Sequence, residues 1–310
     1  MPTRSDPPPQ EWAARPTGAR VSVFSNYRAS ADFPAVLGPA VAQGGGNARS
    51  ATNDSAAAYV ALARSFVYRF LAQAYADPNG SGWEWLGEAD THAGLQAAWA
   101  LVKASSGSTG AGRPEGVALP EFRGVAQAAF GGEYVAAFGH AARGRCPLNE
   151  IEYGDLKADP LFQPHRLADL AAFYRAFGLE ICETAGERHD HICVELEFMT
   201  VLTAMEAYAL DQKLNGDQLE IGRDAQKQFL REHLGRWTPA FTRRLVASAR
   251  DATLKALAEF TRGFVESECE RYGVPCGSED LLLRPADEAS ESLCASCNLF
   301  PTPNHGPAGA

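Results

Sequence analysis

Apolar residues return every three or four positions from Tyr59 onward, at Tyr59, Leu62, Ala63, Phe66, Val67, Phe70, Leu71 and Ala74. That spacing puts them on one stripe of an α-helix facing a core. Asp54 or Ser55 stands where a cap is needed, and "ADPNGSG" stops the helix with Pro and Gly. A shorter stripe follows at Leu95, Ala98, Trp99 and Val102. Phe122, Val125, Ala126, Ala129 and Phe130 make another, interrupted by Gly131-Gly132, with "EYVAAFG" as a last short turn or two. Leu167, Leu170, Phe173, Tyr174 and Phe177 form a stripe closed by Gly178. The pattern predicts a longer helix from about Asp190 to Leu214, broken by "NGD". Phe229, Leu230, His233, Leu234 and Trp237 mark another, ended by Thr238-Pro239, with Phe241, Leu245 and Val246 continuing beyond it. Leu254, Leu257, Phe260, Phe264 and Val265 mark the last. No alternating run reads as a strand, and no glycine-rich phosphate loop follows one. The expected fold is all-α, a compact helical bundle.

The periodicity bounds three regions. Residues 1–55 are rich in Pro, Gly, Ala and Ser and predict a disordered leader. Residues 56–271 carry the helices. Residues 272–310 hold Pro, Ser, acidic residues and cysteines and predict an extended or mobile tail. Of the 310 residues 45% are hydrophobic, enough for a sizeable core. A net charge of -10 argues against nucleic-acid binding and suits a positively charged partner. No apolar run is long enough to span a bilayer. The first residues lack the apolar core of a secretory signal, so a cytoplasmic location is the expectation.

Three constellations carry candidate chemistry. In "GERHDHICVELEFM", His191 and Glu195 are four apart, a spacing that can hold a metal, with His189 one turn back. The other reading is a helix start: Asp190 at or near the N-cap, with Glu187 and Glu195 facing the positive end of the helix dipole. Acid–base catalysis by the same residues is a third. Cys269, Cys276, Cys294 and Cys297, with His305 nearby, could ligate zinc, although the spacing is irregular; incidental thiols or a redox pair are the alternatives. Tyr134, Phe138, Tyr153, Phe173, Tyr174 and Phe177 are helically spaced core aromatics, except Tyr153, which sits in a loop beside Glu150 and Glu152 and suits a peptide groove.

"LADLAAFYRAFGLE" followed by "ERHDHICVELEFMTVLTAMEAYAL" closely resembles the TorD/DmsD/NarJ family of cytoplasmic redox-enzyme maturation chaperones. "FVYRFLAQAYADP", "CPLNEIEYG" and "FLREHLGRWTPAF" extend the resemblance over about residues 56–268. His189 stands where the family often has Pro, and in the loop Pro147, Glu150 and Tyr153 match. The resemblance implies two packed helical parts joined by a hinge before Asp190. It implies a binding module and not a catalyst. Its partners would be the catalytic subunit of a molybdenum oxidoreductase of the dimethyl-sulfoxide-reductase type and that subunit's twin-arginine signal peptide. It also implies assistance with insertion of the molybdopterin guanine dinucleotide, with no cofactor required by the chain itself. Guanidiniums need carboxylates beside an apolar groove. The site expected from this is Asp190, His191, Glu187, Glu150, Tyr153, Pro147, Tyr134 and Phe138, on an acidic surface that includes Glu152. A small metal hydrolase using His189, His191 and Glu195, and an accessory subunit retained in the mature oxidoreductase, are the rival readings.

Overall fold

The computed structural model describes residues 48–80, 82–105, 117–139, 144–154, 162–182, 186–213 and 216–284. Helices account for the regular structure among them: α1 (Ala48–Ala74), α2 (Trp83–Gly87), α3 (Ala89–Ser105), α4 (Gln127–Phe138), α5 (Phe162–Ala176), α6 (Ile192–Asp211), α7 (Gly216–Phe229), α8 (Gly235–Ser248) and α9 (Ala252–Tyr272). A 3-10 turn at Glu150–Glu152 stands between α4 and α5, and a π-helical turn at Leu230–Leu234 joins α7 to α8. The all-α expectation is met. Residues 1–47 and 285–310, which hold most of the expected leader and the Cys294-Cys297 motif, lie outside the described residues.

The bundle is organised around α6. Every residue from Ile192 to Thr203 is buried, so this helix has no solvent stripe over its first three turns. Its longest partner is α1, packed along it, with α7 on another side; α3 lies on α1, and α8 lies on α9. Aromatic rings fill the contacts. Phe198 of α6 meets Phe173 and Tyr174 of α5, Phe177 just beyond it, and Phe229 of α7. Trp237 and Phe241 of α8 meet Tyr153, and Phe241 also meets Tyr75.

One buried ion cluster ties four helices together. Arg64 of α1 bonds Glu268 of α9 through Nε and Nη2, at 2.8 and 2.6 Å. Its Nη1 reaches Glu206 of α6 at 2.8 Å, and Nη2 also reaches Gln226 of α7 at 2.7 Å. Tyr68 donates to the same Glu268 at 3.0 Å. Arg64 is buried with both carboxylates, so their mutual pairing is what makes their burial tolerable.

Several helix boundaries differ from the sequence reading: α1 begins at Ala48, so Asp54 and Ser55 lie inside it and do not cap it, and α4 begins at Gln127, after Phe122, Val125 and Ala126. Gly131-Gly132 does not interrupt α4. Both glycines lie where a Cβ would meet nothing within 4 Å, and burial of Phe130, Ala137 and Phe138 offsets the propensity cost of about 1 kcal/mol each. Thr238-Pro239 does not end a helix either; Pro239 lies inside α8. Proline has no N–H to give the carbonyl four residues back. That carbonyl, Gly235 O, instead accepts the N–H of Gly277 at 2.9 Å. A segment beyond the last helix thus supplies the missing donor.

That segment corrects the mobile-tail expectation for residues 273–284. Gly273 takes φ +62° at the end of α9, and Val274 N–H returns to Cys269 O at 3.0 Å, turning the chain back over the body. Residues 274–284 then run as a strap. Arg243 pairs with Asp280 and Arg262 with Glu279. Cys276, Leu281 and Leu283 pack against the core. The strap turns at 279–280 and is fastened along its length.

Candidate functional site

The strap, the Glu150 turn and the approach to α6 meet in one place. Glu150 N donates to Asp190 O and Ile192 N to Leu148 O, both at 2.8 Å, and Asn149 and His191 form an antiparallel bridge. On the other edge, Gly154 N donates to Leu282 O and Arg284 N to Glu152 O, both at 2.9 Å, with a bridge between Tyr153 and Leu283. The turn is therefore the middle of three short extended segments.

Asp190 is fully buried and is not the cap of α6. His191 is. Its Nδ1 accepts the N–H of Cys193 at 3.3 Å, and the Cys193 thiol lies 2.9 Å from the same nitrogen. The Asp190 carboxylate instead crosses to the turn. Oδ2 accepts Ile151 N at 3.2 Å and Oδ1 accepts Asn149 Nδ2 at 3.2 Å. Arg188 closes the pair with a forked contact, Nε to Oδ1 at 2.9 Å and Nη2 to Oδ2 at 2.8 Å. The same Nη2 lies 3.7 Å from Glu152. Arg188 is 41% exposed, so this guanidinium is the solvent face of a buried carboxylate. Burial pulls the His191 imidazole down to about 4, with Asp190 opposing and Arg188 adding to the effect. Protonating Nδ1 would also turn the cap's acceptor into a donor.

Glu150 is the second carboxylate. It lies 2.9 Å from His233 Nδ1, accepts Arg236 Nη2 at 3.0 Å, and has Arg166 Nε at 3.8 Å. Burial pushes its carboxyl up, and His233, Arg236 and Arg166 together outweigh that and hold it below the usual range. Glu195, next to it in the core, behaves oppositely. Its Oε2 accepts Trp237 Nε1 at 3.1 Å, while Oε1 is buried without a hydrogen-bond partner among the described residues. Burial first, then the charge of Glu150, raise this carboxyl well above its ordinary value. Two adjacent carboxyl groups are thus shifted in opposite directions by their surroundings.

These positions revise the expected acidic surface. Glu150, Glu152 and Asp190 are buried and already hold the chain's own arginines. Tyr153 is buried and donates to Pro147 O at 2.8 Å; Phe138 and Pro147 are buried; Tyr134 is half-buried and donates to Tyr75 O at 2.9 Å. Tyr153 packs on Trp237 and Phe241, Phe138 on Phe241, and Tyr134 on Phe138, so these rings are joined through the core. Of the expected set, Glu187 and the half-buried edge of His191 are what reach solvent there, beside exposed His189 and Arg188. His189 stacks on Tyr174, whose hydroxyl donates to His189 O at 2.7 Å. His189, His191 and Glu195 therefore have three different tasks and share no common focus. Among the described residues no group of three or more His, Cys, Asp or Glu side chains could hold a metal. Cys269 is buried and Cys276 half-buried, and Cys294 and Cys297 lie outside the described residues.

Against known proteins, the family model described as nitrate reductase delta subunit matches residues 92–243. The dimethyl sulfide dehydrogenase assembly chaperone of Rhodovulum sulfidophilum is 30% identical over 78% of this chain and 92% of its own length. The chain belongs to the TorD/DmsD/NarJ family. The perchlorate reductase assembly chaperone of Dechloromonas aromatica is 32% identical over 35% of this chain and 47% of its own length. The selenate reductase assembly chaperone of Thauera selenatis is 35% identical over 37% of this chain and 57% of its own length. Over these two relatives the matched segment spans about half their length. These three relatives are named as assembly chaperones.

The partners of the buried carboxylates were missed by sequence reasoning. Arg188 lay inside the quoted cluster, and His233 and Arg236 lay inside "FLREHLGRWTPAF", but only folding brings the latter two to Glu150. Nothing in the spacing announced that residues 281–284 pair with the turn.

Proposed function

We propose that the protein is a cytoplasmic assembly chaperone that binds the apo form of a molybdenum oxidoreductase catalytic subunit of the dimethyl-sulfoxide-reductase type, recognises its twin-arginine signal peptide, and delays export until the cofactor is in place. The observation that carries this reading is the near full-length match to a relative named as a dehydrogenase assembly chaperone. The chemistry of the turn supports it. Asp190 and Glu152 are taken up by Arg188, and Glu187, next to Arg188 in the chain, is the carboxylate of the expected set that reaches solvent. Leu282, 68% exposed on the strap, offers an apolar contact next to that charge. A segment with two arginines followed by apolar residues presents the complement of both. Residues Glu150, Tyr153, Pro147, Tyr134 and Phe138 act in this reading by holding the turn and strap in place. In the same proposal the molybdopterin guanine dinucleotide is the client's cargo, and no nucleic acid or membrane insertion is involved. Among the described residues no helix is long and apolar enough to cross a membrane.

The test is isothermal titration of the full chain with a synthetic twin-arginine peptide and its twin-lysine counterpart. We expect binding at micromolar strength for the first, weaker binding for the second, and loss of affinity with added salt. Equal binding of both peptides with no salt dependence rejects the charge account. Co-purification of the tagged chain with an apo catalytic subunit carrying its signal supports the chaperone, whereas co-purification with exported, cofactor-loaded enzyme supports a retained subunit.

A further inference from the structure

Ala57, Val60, Ala61 and Arg64 stand three and four apart on α1, so they share one face of that helix. The face lines a cavity of about 360 Å³. Glu206 of α6, Arg223 of α7, Ser105 at the end of α3, and Arg271 and Tyr272 at the end of α9 complete the lining. The hollow is of a size that takes a small organic ligand. Its walls differ in character. Ala57, Val60 and Ala61 make one side apolar, and the other carries three guanidiniums, each from its own helix. Arg223 uses Nε on Glu206 at 2.7 Å, and its two Nη groups find no acceptor among the described residues. Arg271 gives Nε to Glu268 at 3.3 Å and Nη2 to Ser105 Oγ at 2.7 Å, leaving Nη1 unclaimed among them. Buried Arg64 gives one of its two Nη1 hydrogens to Glu206 at 2.8 Å, with no second acceptor for that nitrogen among the same residues. Against the three cations stand two carboxylates, Glu206 and Glu268, so the group holds one positive charge in excess.

We propose that this cavity binds a small organic monoanion, a carboxylate on a short apolar body. The carboxylate is received by the free N–H groups of Arg223 and Arg271, whose planar forks match its two oxygens. The body covers Ala57, Val60 and Ala61. Arg64 supplies charge from beneath and stays where it is, held by Glu268 and Gln226 and lying 5.4 Å from the centre of the Tyr272 ring. Other ligand classes fit less well. A phosphate or polyphosphate brings more negative charge than the single excess, and α3 and α9 both end at the cavity, where the partial negative charge of a helix C-terminus opposes it. It also leaves the apolar wall uncovered. A neutral ligand forgoes the charge-assisted bonds, and a cation meets the excess positive charge. A bound carboxylate bridges α1, α7 and α9, so occupancy stabilises the folded body. The cavity shares no residue with the Glu150 turn or the strap, and the proposal stands apart from the chaperone reading.

The experiment titrates the full chain with hexanoate and benzoate, with hexanamide and benzamide as neutral counterparts and with inorganic phosphate as an anion lacking the apolar body. Isothermal titration and melting temperature are the readouts. Each carboxylate is expected to raise the melting temperature and to bind about tenfold tighter than its amide or than phosphate. Arg223→Gln and Arg271→Gln are each expected to weaken carboxylate binding by about tenfold. Both leave Arg64 in place to pair Glu206 and Glu268. Val60→Phe, which fills the cavity and removes no charge, is expected to abolish binding. Amides or phosphate binding as tightly as the carboxylates overturns the proposal, and so does carboxylate affinity that neither arginine variant changes. Should a variant fail to fold, methyl NMR of the unmutated chain decides: the Val60 methyl signals shift on addition of benzoate and not of benzamide, and their staying in place places the ligand elsewhere and overturns the proposal.

Discussion

Asp190→Asn separates a helix cap from a buried cross-link. If Asp190 capped α6, Asn would replace it for less than about 1 kcal/mol, since the two cap almost equally well. In the structure the carboxylate accepts four hydrogen bonds, from Arg188 Nε, Arg188 Nη2, Asn149 Nδ2 and Ile151 N. An amide supplies one oxygen. Its better orientation keeps Ile151 N and Arg188 Nη2 and turns its own NH2 toward Asn149 and Arg188 Nε. Asn149 can flip to present oxygen, but Arg188 Nε then faces a donor. A charge-assisted bond is worth about 1.5–3 kcal/mol, and Arg188, being part-exposed, recovers some of it from water. The expected cost is about 1.5–3 kcal/mol, or about 3–12 °C in melting temperature for a body of this size. Urea unfolding followed by circular dichroism measures it. A double-mutant cycle with Arg188→Ala isolates the pair, and coupling of about 1 kcal/mol or more is expected. Destabilisation below 0.5 kcal/mol in roughly additive variants would refute the cross-link and return Asp190 to a capping role.

Arg64→Met leaves Glu268 and Glu206 without their shared cation in the interior, and about 3–5 kcal/mol of stability should be lost; a change under about 1 kcal/mol in urea unfolding contradicts the ion-cluster account. His191 is depressed from 6.5 to about 4 in the folded protein, so the unfolded chain binds the extra proton between those values. Stability should therefore fall by about 1–2 kcal/mol as pH drops through that window, and His191→Asn, which keeps a cap acceptor and cannot titrate, should flatten the slope. An unchanged slope in the variant assigns the acid loss elsewhere. Removing residues 273–310 should lower the melting temperature further than removing 285–310 and weaken twin-arginine peptide binding, because Gly235 O, Glu152 O and the Tyr153 bridge lose their partners. Equal melting temperatures for the two truncations would show that the strap contributes nothing.

The helices were legible because burial forces periodicity. A chain that must hide Phe66, Phe70, Phe198 or Phe264 in a helical bundle spaces them by three or four, and that spacing is a local property of the sequence. The stop at Gly178, with φ +69°, and the turn at Gly273 are local for the same reason. Family membership was legible too, since it rests on the order of residues alone. What the chain does at Pro239 and Asp190 is not local. A proline looks like a helix end until a donor from forty residues away, Gly277, takes up the freed carbonyl. An aspartate before a helix looks like a cap until Asn149, Ile151 and Arg188 converge on it and His191 takes the cap instead. Charge in a sequence reads as surface, because most charged residues are exposed. Glu150, Asp190 and Arg64 are among the exceptions. Each is buried, and each is tolerated there by partners distant in sequence, Arg236 for Glu150, Asn149 and Ile151 for Asp190 and Glu268 for Arg64, that tertiary packing alone brings within hydrogen-bonding reach.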